Sequence, residues 1–224
     1  MAKVIDYLNL VKFSHTVFAM PFALLSFVYA AKSMPEVDNP YWWVMLLVQV
    51  VLCMVFARNV AMGFNRWADR FIDADNPRTA NREIPAGKIS PKQAAWFVAG
   101  NAILFIVVSA TINPLCGWLS PVALAVVMFY SYCKRFTSLA HIVLGLSLGI
   151  APVGATIAVL GDITLESVVL ALGVMCWSAG FDIIYALQDA EFDRSRGLYS
   201  VPSRFTARTS LIISALLHVA SISF

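Results

Sequence analysis

Long apolar stretches separated by short polar ones constrain this chain more than any other feature. They cover residues 15–31, 41–64, 94–112, 118–133, 139–160, 168–187 and 209–224. A helix needs about 20 mostly apolar residues to cross a bilayer. Lipid offers the backbone no hydrogen-bond partner, so each such stretch must satisfy its own amides as a helix. The expected fold is therefore all-α: a polytopic transmembrane bundle of about seven helices, forming a single membrane-embedded domain over residues 1–224. Composition agrees, with 60% hydrophobic and 13% charged residues, where a soluble domain carries about 25% charged. The formal charge of +3 and the lack of a basic tail argue against a nucleic-acid partner. Cys53, Cys116, Cys133 and Cys176 are scattered through apolar segments without a C-x-x-C pair, so they read as small buried hydrophobes. The N-terminus lacks a signal-peptide cleavage pattern, and its first apolar stretch is expected to stay as a membrane helix.

Charge placement orders these helices. Arg66, Arg70, Arg78, Arg82, Lys88 and Lys92 lie between the second and third stretches, Lys134 and Arg135 after the fourth, and Arg194, Arg196, Arg204 and Arg208 after the sixth. The loops after the third and fifth have no Lys or Arg, and that after the first has only Lys32. The bias predicts that the N-terminus and all the basic loops face the cytoplasm. The long loop after the second stretch contains Pro77, Pro85, Gly87 and Pro91, so it cannot be one helix. Ser90, Pro91 and Gln93 predict a capping box that starts the third helix.

Topology alone does not explain the aspartates among those arginines. One set is Asn65, Asp69 and Asp73; the other is Tyr185, Asp189 and Asp193. Each repeats at i, i+4 and i+8, so its members share one helical face, where like charges repel and ask for a positive partner. The two sets are offset by 120 residues, a two-point match that suggests duplication. Arg58 precedes Asn65 by seven residues and Asp182 precedes Asp189 by seven, nearly two turns. Both therefore extend their stripes into the membrane, where ionisable residues face a wet cavity or a partner, or snorkel to the interface. Asp75 and Glu191 read as surface charges. His15 is either structural or in reach of a substrate. Tyr41, Trp42 and Trp43 read as an interfacial belt, and Gly145, Gly149 and Gly154 as sites of close helix packing or of room for a chain.

The stretches NRWADRFIDADNPRTANREIPAGKIS (65–90), YSYCKRFT (130–137), YALQDAEFDRSRGLYSVPSRF (185–205) and KFSHTVFAMPFALL (12–25) resemble, in order, signatures of the UbiA family of membrane-embedded aromatic prenyltransferases. The nearest subgroup is the 4-hydroxybenzoate polyprenyltransferases and their menaquinone-pathway relatives. The D-D-x-x-D motif of soluble isoprenyl synthases is absent. The resemblance implies a helical bundle, normally of nine helices, with a central cavity opening to the cytoplasmic side. It implies Mg2+ as cofactor, held by Asn65, Asp69, Asp73, Asp189 and Asp193. It makes the four aspartates catalytic and gives Arg58, Arg78, Lys134 and Arg135 a part in neutralising a diphosphate, with Asp182 and Tyr185 also at the substrate. The implied partners are a prenyl diphosphate, a small aromatic acceptor (4-hydroxybenzoate or a dihydroxynaphthoate) and the lipid bilayer. The implied reaction transfers a polyprenyl group in ubiquinone or menaquinone biosynthesis, at a bacterial-type inner membrane. Tyr130 and Tyr185 are candidates to shield an allylic cation.

Two other readings compete. A cation-coupled transporter would use Arg58 and Asp182 as relay residues. The chain is otherwise an inactive, truncated prenyltransferase that binds lipid or partner helices. The last stretch, 209–224, gives roughly 24 Å of helix against a hydrocarbon core of about 30 Å. It also stops inside an apolar run. On that ground the chain is expected to lack its C-terminal helices.

Overall fold

The computed structural model describes residues 3–12, 20–34 and 40–224. Among these residues the regular elements are all helical. They are α1 (Val4–Leu10), α2 (Met20–Lys32), α3 (Pro40–Ala68), α4 (Arg70–Asp75), α5 (Pro91–Ile112) and α6 (Pro114–Cys133). Then come α7 (Ala140–Leu160), α8 (Leu165–Ala186), α9 (Ala190–Ser195), α10 (Val201–Arg204) and α11 (Ala207–Ser223). A 3-10 turn, Leu187–Asp189, joins α8 to α9. Among the described residues, five segments are long and apolar enough to cross a membrane: α3, α5, α6, α7 and the run Leu165–Ser195. The expected count of about seven thus divides into five full spans and the shorter apolar helices α2 and α11. His15, with part of the expected first span, lies outside the described residues.

Helix limits follow local signals. Ser90 caps α5 as expected: its hydroxyl accepts from Gln93 N–H at 3.2 Å, and Gln93 Oε1 accepts from Ser90 N–H at 2.9 Å. α6 starts four residues earlier than its apolar stretch, because Asn113 accepts from Cys116 N–H at 2.8 Å ahead of Pro114. Thr164 likewise starts α8 before its apolar run. α3 extends past its apolar stretch to Ala68 and carries Asn65 within it. Asp69 then stands at a break between α3 and α4. Backbone bonds from Asp69 N–H to Asn65 O (2.9 Å) and from Asp73 N–H to Asp69 O (2.7 Å) bridge that break. The acidic stripe survives the interruption for that reason.

α7 is the hub, packed on α8, α2 and α6; α3 packs on α5 and α6, and α11 on α8. One apolar cluster joins Ala23 and Phe27 of α2 to Leu46 and Val50 of α3 and Ala155 and Val159 of α7. Another joins Val60, Val98, Leu124 and Val127 across α3, α5 and α6. Polar pairs cross the same interfaces: Ser26 with Thr156 at 2.9 Å and Asn59 with Asn101 at 2.8 Å. Such bonds contribute about 0.6 kcal/mol each on average, so close packing must supply most of the cohesion. Of the glycines expected to permit it, Gly145 and Gly149 do, against the carbonyls of Met175 and Ala171 in α8. Gly154 does not: a Cβ there would touch nothing within 4 Å, and it lines a cavity instead.

The loop between α4 and α5 is a chain of hydrogen-bonded turns. Ile84 and Ile89 anchor it in a small apolar cluster with Leu10 and Ala94. Thr79 Oγ1 donates to Asp73 O at 2.9 Å. The loop is thereby held beside the acidic stripe.

Candidate active site

A cavity of about 900 Å³ runs through the bundle. Arg58, Asn65, Asp69, Asp73, Arg78, Lys134, Asp182, Tyr185, Asp189 and Asp193 all line it. The two acidic sets, distant in sequence, thus share one rim. Arg135 is not part of the lining. It stands behind Asp69, donating to Ala68 O at 2.8 Å and reaching Asp69 Oδ1 at 3.4 Å. The other end of the cavity is lined by Val50, Ile112, Cys116, Ile157 and Val168. Asp69 and Val50 are separated along the α3–α4 path by roughly 28 Å of helix at 1.5 Å per residue. A polar rim therefore tops an apolar shaft about as deep as a bilayer core.

Three of the four rim aspartates are matched by cations. Asp69, 2% exposed, meets Lys134 Nζ at 2.6 Å and accepts from Asn65 Nδ2 at 3.2 Å. Asp73 meets Arg82 at 2.7 Å, with Arg66 at 4.0 Å. Asp189 is gripped by Arg78 through Nε at 2.8 Å and through Nη2, and by Asn76 Nδ2 at 3.0 Å. The Asp189 hydrogen bond raises the Arg78 pKa above the ordinary arginine value, so this guanidinium stays charged. Arg78 Nη1 also donates to Tyr185 Oη at 3.0 Å. Asp193 accepts from Ser200 Oγ at 3.0 Å. Asp75, by contrast, forms a half-exposed pair with Arg196 at 2.9 Å, and Glu191 is exposed, as surface charges should be.

Among the described residues, four buried side-chain atoms lack a hydrogen-bond partner: Asp73 Oδ2 at the rim, Arg58 Nε and Ser178 Oγ in the cavity wall, and Asn59 Oδ1. Asp73, Arg58 and Ser178 line the cavity, so water or a bound group there can satisfy these atoms. The oxygen-only donors of Asn65, Asp69, Asp73, Asp189 and Asp193 suit a hard ion such as Mg2+. Among the described residues, no cluster of three or more acidic, His or Cys side chains is drawn together as a metal cage. Lysine and arginine hold three of the four aspartates instead.

Sequence reasoning missed His141. It is buried in α7, bonded through Nδ1 to Asp182 Oδ2 at 2.7 Å and through Nε2 to the amide of Val201 at 3.2 Å. No local pattern marks it, because its partners lie 41 and 60 residues away. Arg82 and Asn76 sat inside the first signature but are assigned to Asp73 and Asp189 only by the fold.

The profile of the UbiA prenyltransferase family matches residues 19–224. The 4-hydroxybenzoate octaprenyltransferase of Yersinia pseudotuberculosis serotype IB (strain PB1/+) is 35% identical over 172 residues, covering 76% of this chain and 59% of that protein. The enzyme of the same name from Yersinia enterocolitica serotype O:8 / biotype 1B is 34% identical over equal shares of both chains. The chain thus spans 59% of the length of these curated relatives. An apo UbiA homolog from Aeropyrum pernix K1 superposes with a TM-score of 0.83 at 32% identity, covering 94% of this chain and 76% of that one. A UbiA homolog from Archaeoglobus fulgidus bound to GPP and Mg2+ shares the fold, with a TM-score of 0.75 at 20% identity, covering 97% of this chain and 75% of that one. The chain belongs to the UbiA prenyltransferase family.

Proposed function

We propose that this protein transfers a polyprenyl group from a prenyl diphosphate to 4-hydroxybenzoate at the membrane, in quinone biosynthesis. The observation that carries the reading is the cavity itself: an apolar shaft whose rim gathers two aspartate sets with Arg78, Arg82 and Lys134. An isoprenoid tail fits the shaft and a diphosphate fits the rim. Family membership favours an enzyme over a carrier, and the names of the curated relatives favour 4-hydroxybenzoate over a dihydroxynaphthoate.

Asn65, Asp69, Asp73, Asp189 and Asp193 would hold Mg2+. Bound there, the metal supplies positive charge to a leaving diphosphate. The chain's own cations, Arg78, Arg82 and Lys134, supply the rest, since each holds an aspartate of the same rim. They stabilise the charge that develops as the allylic C–O bond breaks. Tyr185, beneath the Arg78 guanidinium, turns a ring toward the site, and Tyr130 lines the wall. The shaft excludes water from the cation. Arg58 has a burial and an orphaned Nε that call for an anion, and the acceptor's carboxylate supplies one.

The test is release of diphosphate from a polyprenyl diphosphate, dependent on both Mg2+ and 4-hydroxybenzoate, in membranes containing the protein. Arg58→Leu is expected to raise the acceptor KM about 10-fold to 100-fold, the loss of a charge-assisted bond of about 1.5–3 kcal/mol, and to leave the prenyl diphosphate KM alone. An unchanged acceptor KM refutes the Arg58 assignment; no Mg2+-dependent release from the wild type refutes the function.

The charge bias supports a rim on the cytoplasmic side of a bacterial-type inner membrane. Ser200 is buried and bonded to Asp193, so it is a poor labelling position. Lys88 and Ser195 are exposed on the same side of the bundle. Cysteines there are expected to resist a membrane-impermeant thiol reagent in intact cells and to react after lysis. Labelling in intact cells reverses the orientation.

A further inference from the structure

One hydrogen bond in the cavity wall sets the state of a ring. The amide N–H of Val201 points at His141 Nε2 at 3.2 Å. An amide nitrogen only donates, so Nε2 carries a lone pair and the imidazole is the neutral Nδ1–H tautomer. Its proton is donated to Asp182 Oδ2 at 2.7 Å. His141 is 4% exposed and is clamped between α8 and the start of α10. Asp182 keeps 21% of its side chain accessible and lines the cavity. Three rim carboxylates face lysine or arginine; Asp182 instead takes its hydrogen bond from an imidazole. Asp193 also has a neutral partner, Ser200, but stands at the rim with the diphosphate-binding groups.

We propose that Asp182 is the base that takes the ring proton of the aromatic acceptor, with His141 as its positioning residue. The proposal rests on the prenyltransferase reading above. Asp182 lies seven residues before Asp189 on α8, as Arg58 lies seven before Asn65 on α3. Both are roughly 10 Å below the rim by helix rise. An aromatic acid whose carboxylate meets Arg58 therefore lies at the depth of Asp182, with the rim above it. The allylic C–O bond breaks and its electron pair leaves with diphosphate. A ring π pair, at the carbon beside the phenol, forms the new C–C bond. The proton on that carbon passes to the free oxygen of Asp182, and the C–H pair restores the aromatic ring. Asp182 returns the proton to solvent.

The test compares 4-hydroxybenzoate with its form deuterated at ring carbons 3 and 5. In the wild type, C–H cleavage follows the slower ionisation, so no primary isotope effect on kcat is expected. Asp182→Asn is expected to lower kcat by about 10²-fold to 10⁴-fold, the usual contribution of a general base. It should expose a primary isotope effect and leave binding of a non-ionising prenyl diphosphate analogue intact. Asp182→Glu is expected to restore part of kcat. His141→Gln should lower kcat less and show an isotope effect too; its ring-free amide serves if Asp182→Asn does not fold. Slow turnover without an isotope effect in Asp182→Asn, or in His141→Gln where the former fails to bind the analogue, overturns the proposal while the functional reading stands. A wild type that does not prenylate 4-hydroxybenzoate overturns both.

Discussion

Asp69→Ala and Asp189→Ala are each expected to lower turnover by about 10²-fold or more, the scale for removing one preorganised electrostatic group from a reacting centre. The loss should deepen at limiting Mg2+. Asp69 is buried and joins Lys134, Asn65 and Arg135; Asp189 joins Arg78 and Asn76. Each substitution therefore removes a proposed metal donor and frees the cations it positions. The lipid-facing sides of the helices are untouched, so membrane insertion should be normal. Asp75→Ala is the control. Its pair with Arg196 is about half exposed on both sides, and exposed pairs contribute about 0–1 kcal/mol. Wild-type turnover is expected there. If Asp69→Ala and Asp189→Ala also turn over normally at low Mg2+, the four aspartates do not act as one site.

Gly145→Val is expected to have the largest effect on stability. A Cβ at Gly145 would fall inside the contact distance of the Met175 carbonyl oxygen, and one at Gly149 would lie 2.8 Å from that of Ala171. Both obstacles are backbone, which cannot rotate away. The valine must push α7 from α8, at a cost of about 1–3 kcal/mol. It would also draw His141, one turn earlier on α7, away from Asp182 on α8. Tm in detergent should fall sharply and activity with it. Gly154→Ala, where the added methyl meets nothing within 4 Å, should leave Tm unchanged. Equal Tm values for the two variants would show that close approach at Gly145 is not what holds α7 to α8.

Residues whose partners are near in sequence were readable in advance. Ser90 and Gln93 form their capping box three residues apart. Asn65, Asp69 and Asp73 keep one face because backbone bonds carry the helical path across Asp69. Arg58 was visible as a charge inside an apolar run, and it does line the cavity. The starts of α6 and α8 were placed too late, because hydropathy sees apolar side chains and not the Asn113 and Thr164 caps ahead of them. Gly154 was grouped with Gly145 and Gly149 because spacing cannot tell a face turned to a helix from one turned to a void.

The sequence by itself determined the all-helical membrane class, the family and the residues at the rim. Those follow from hydropathy, local periodicity and contiguous motifs, each of which is a property of neighbours along the chain. Only the tertiary structure decided which cation meets which carboxylate, that Arg135 stands behind the cavity wall, and that His141 holds Asp182. Those pairings join α4 and the 3-10 turn to the loop after α4, the break after α3 to the residues following α6, and α7 to α8 and α10. They depend on how closely the helices approach, which Gly145 and Gly149 permit, and on a loop anchored by Ile84 and Ile89. No periodicity encodes such distances, because they arise only when separate helices bury their faces against one another.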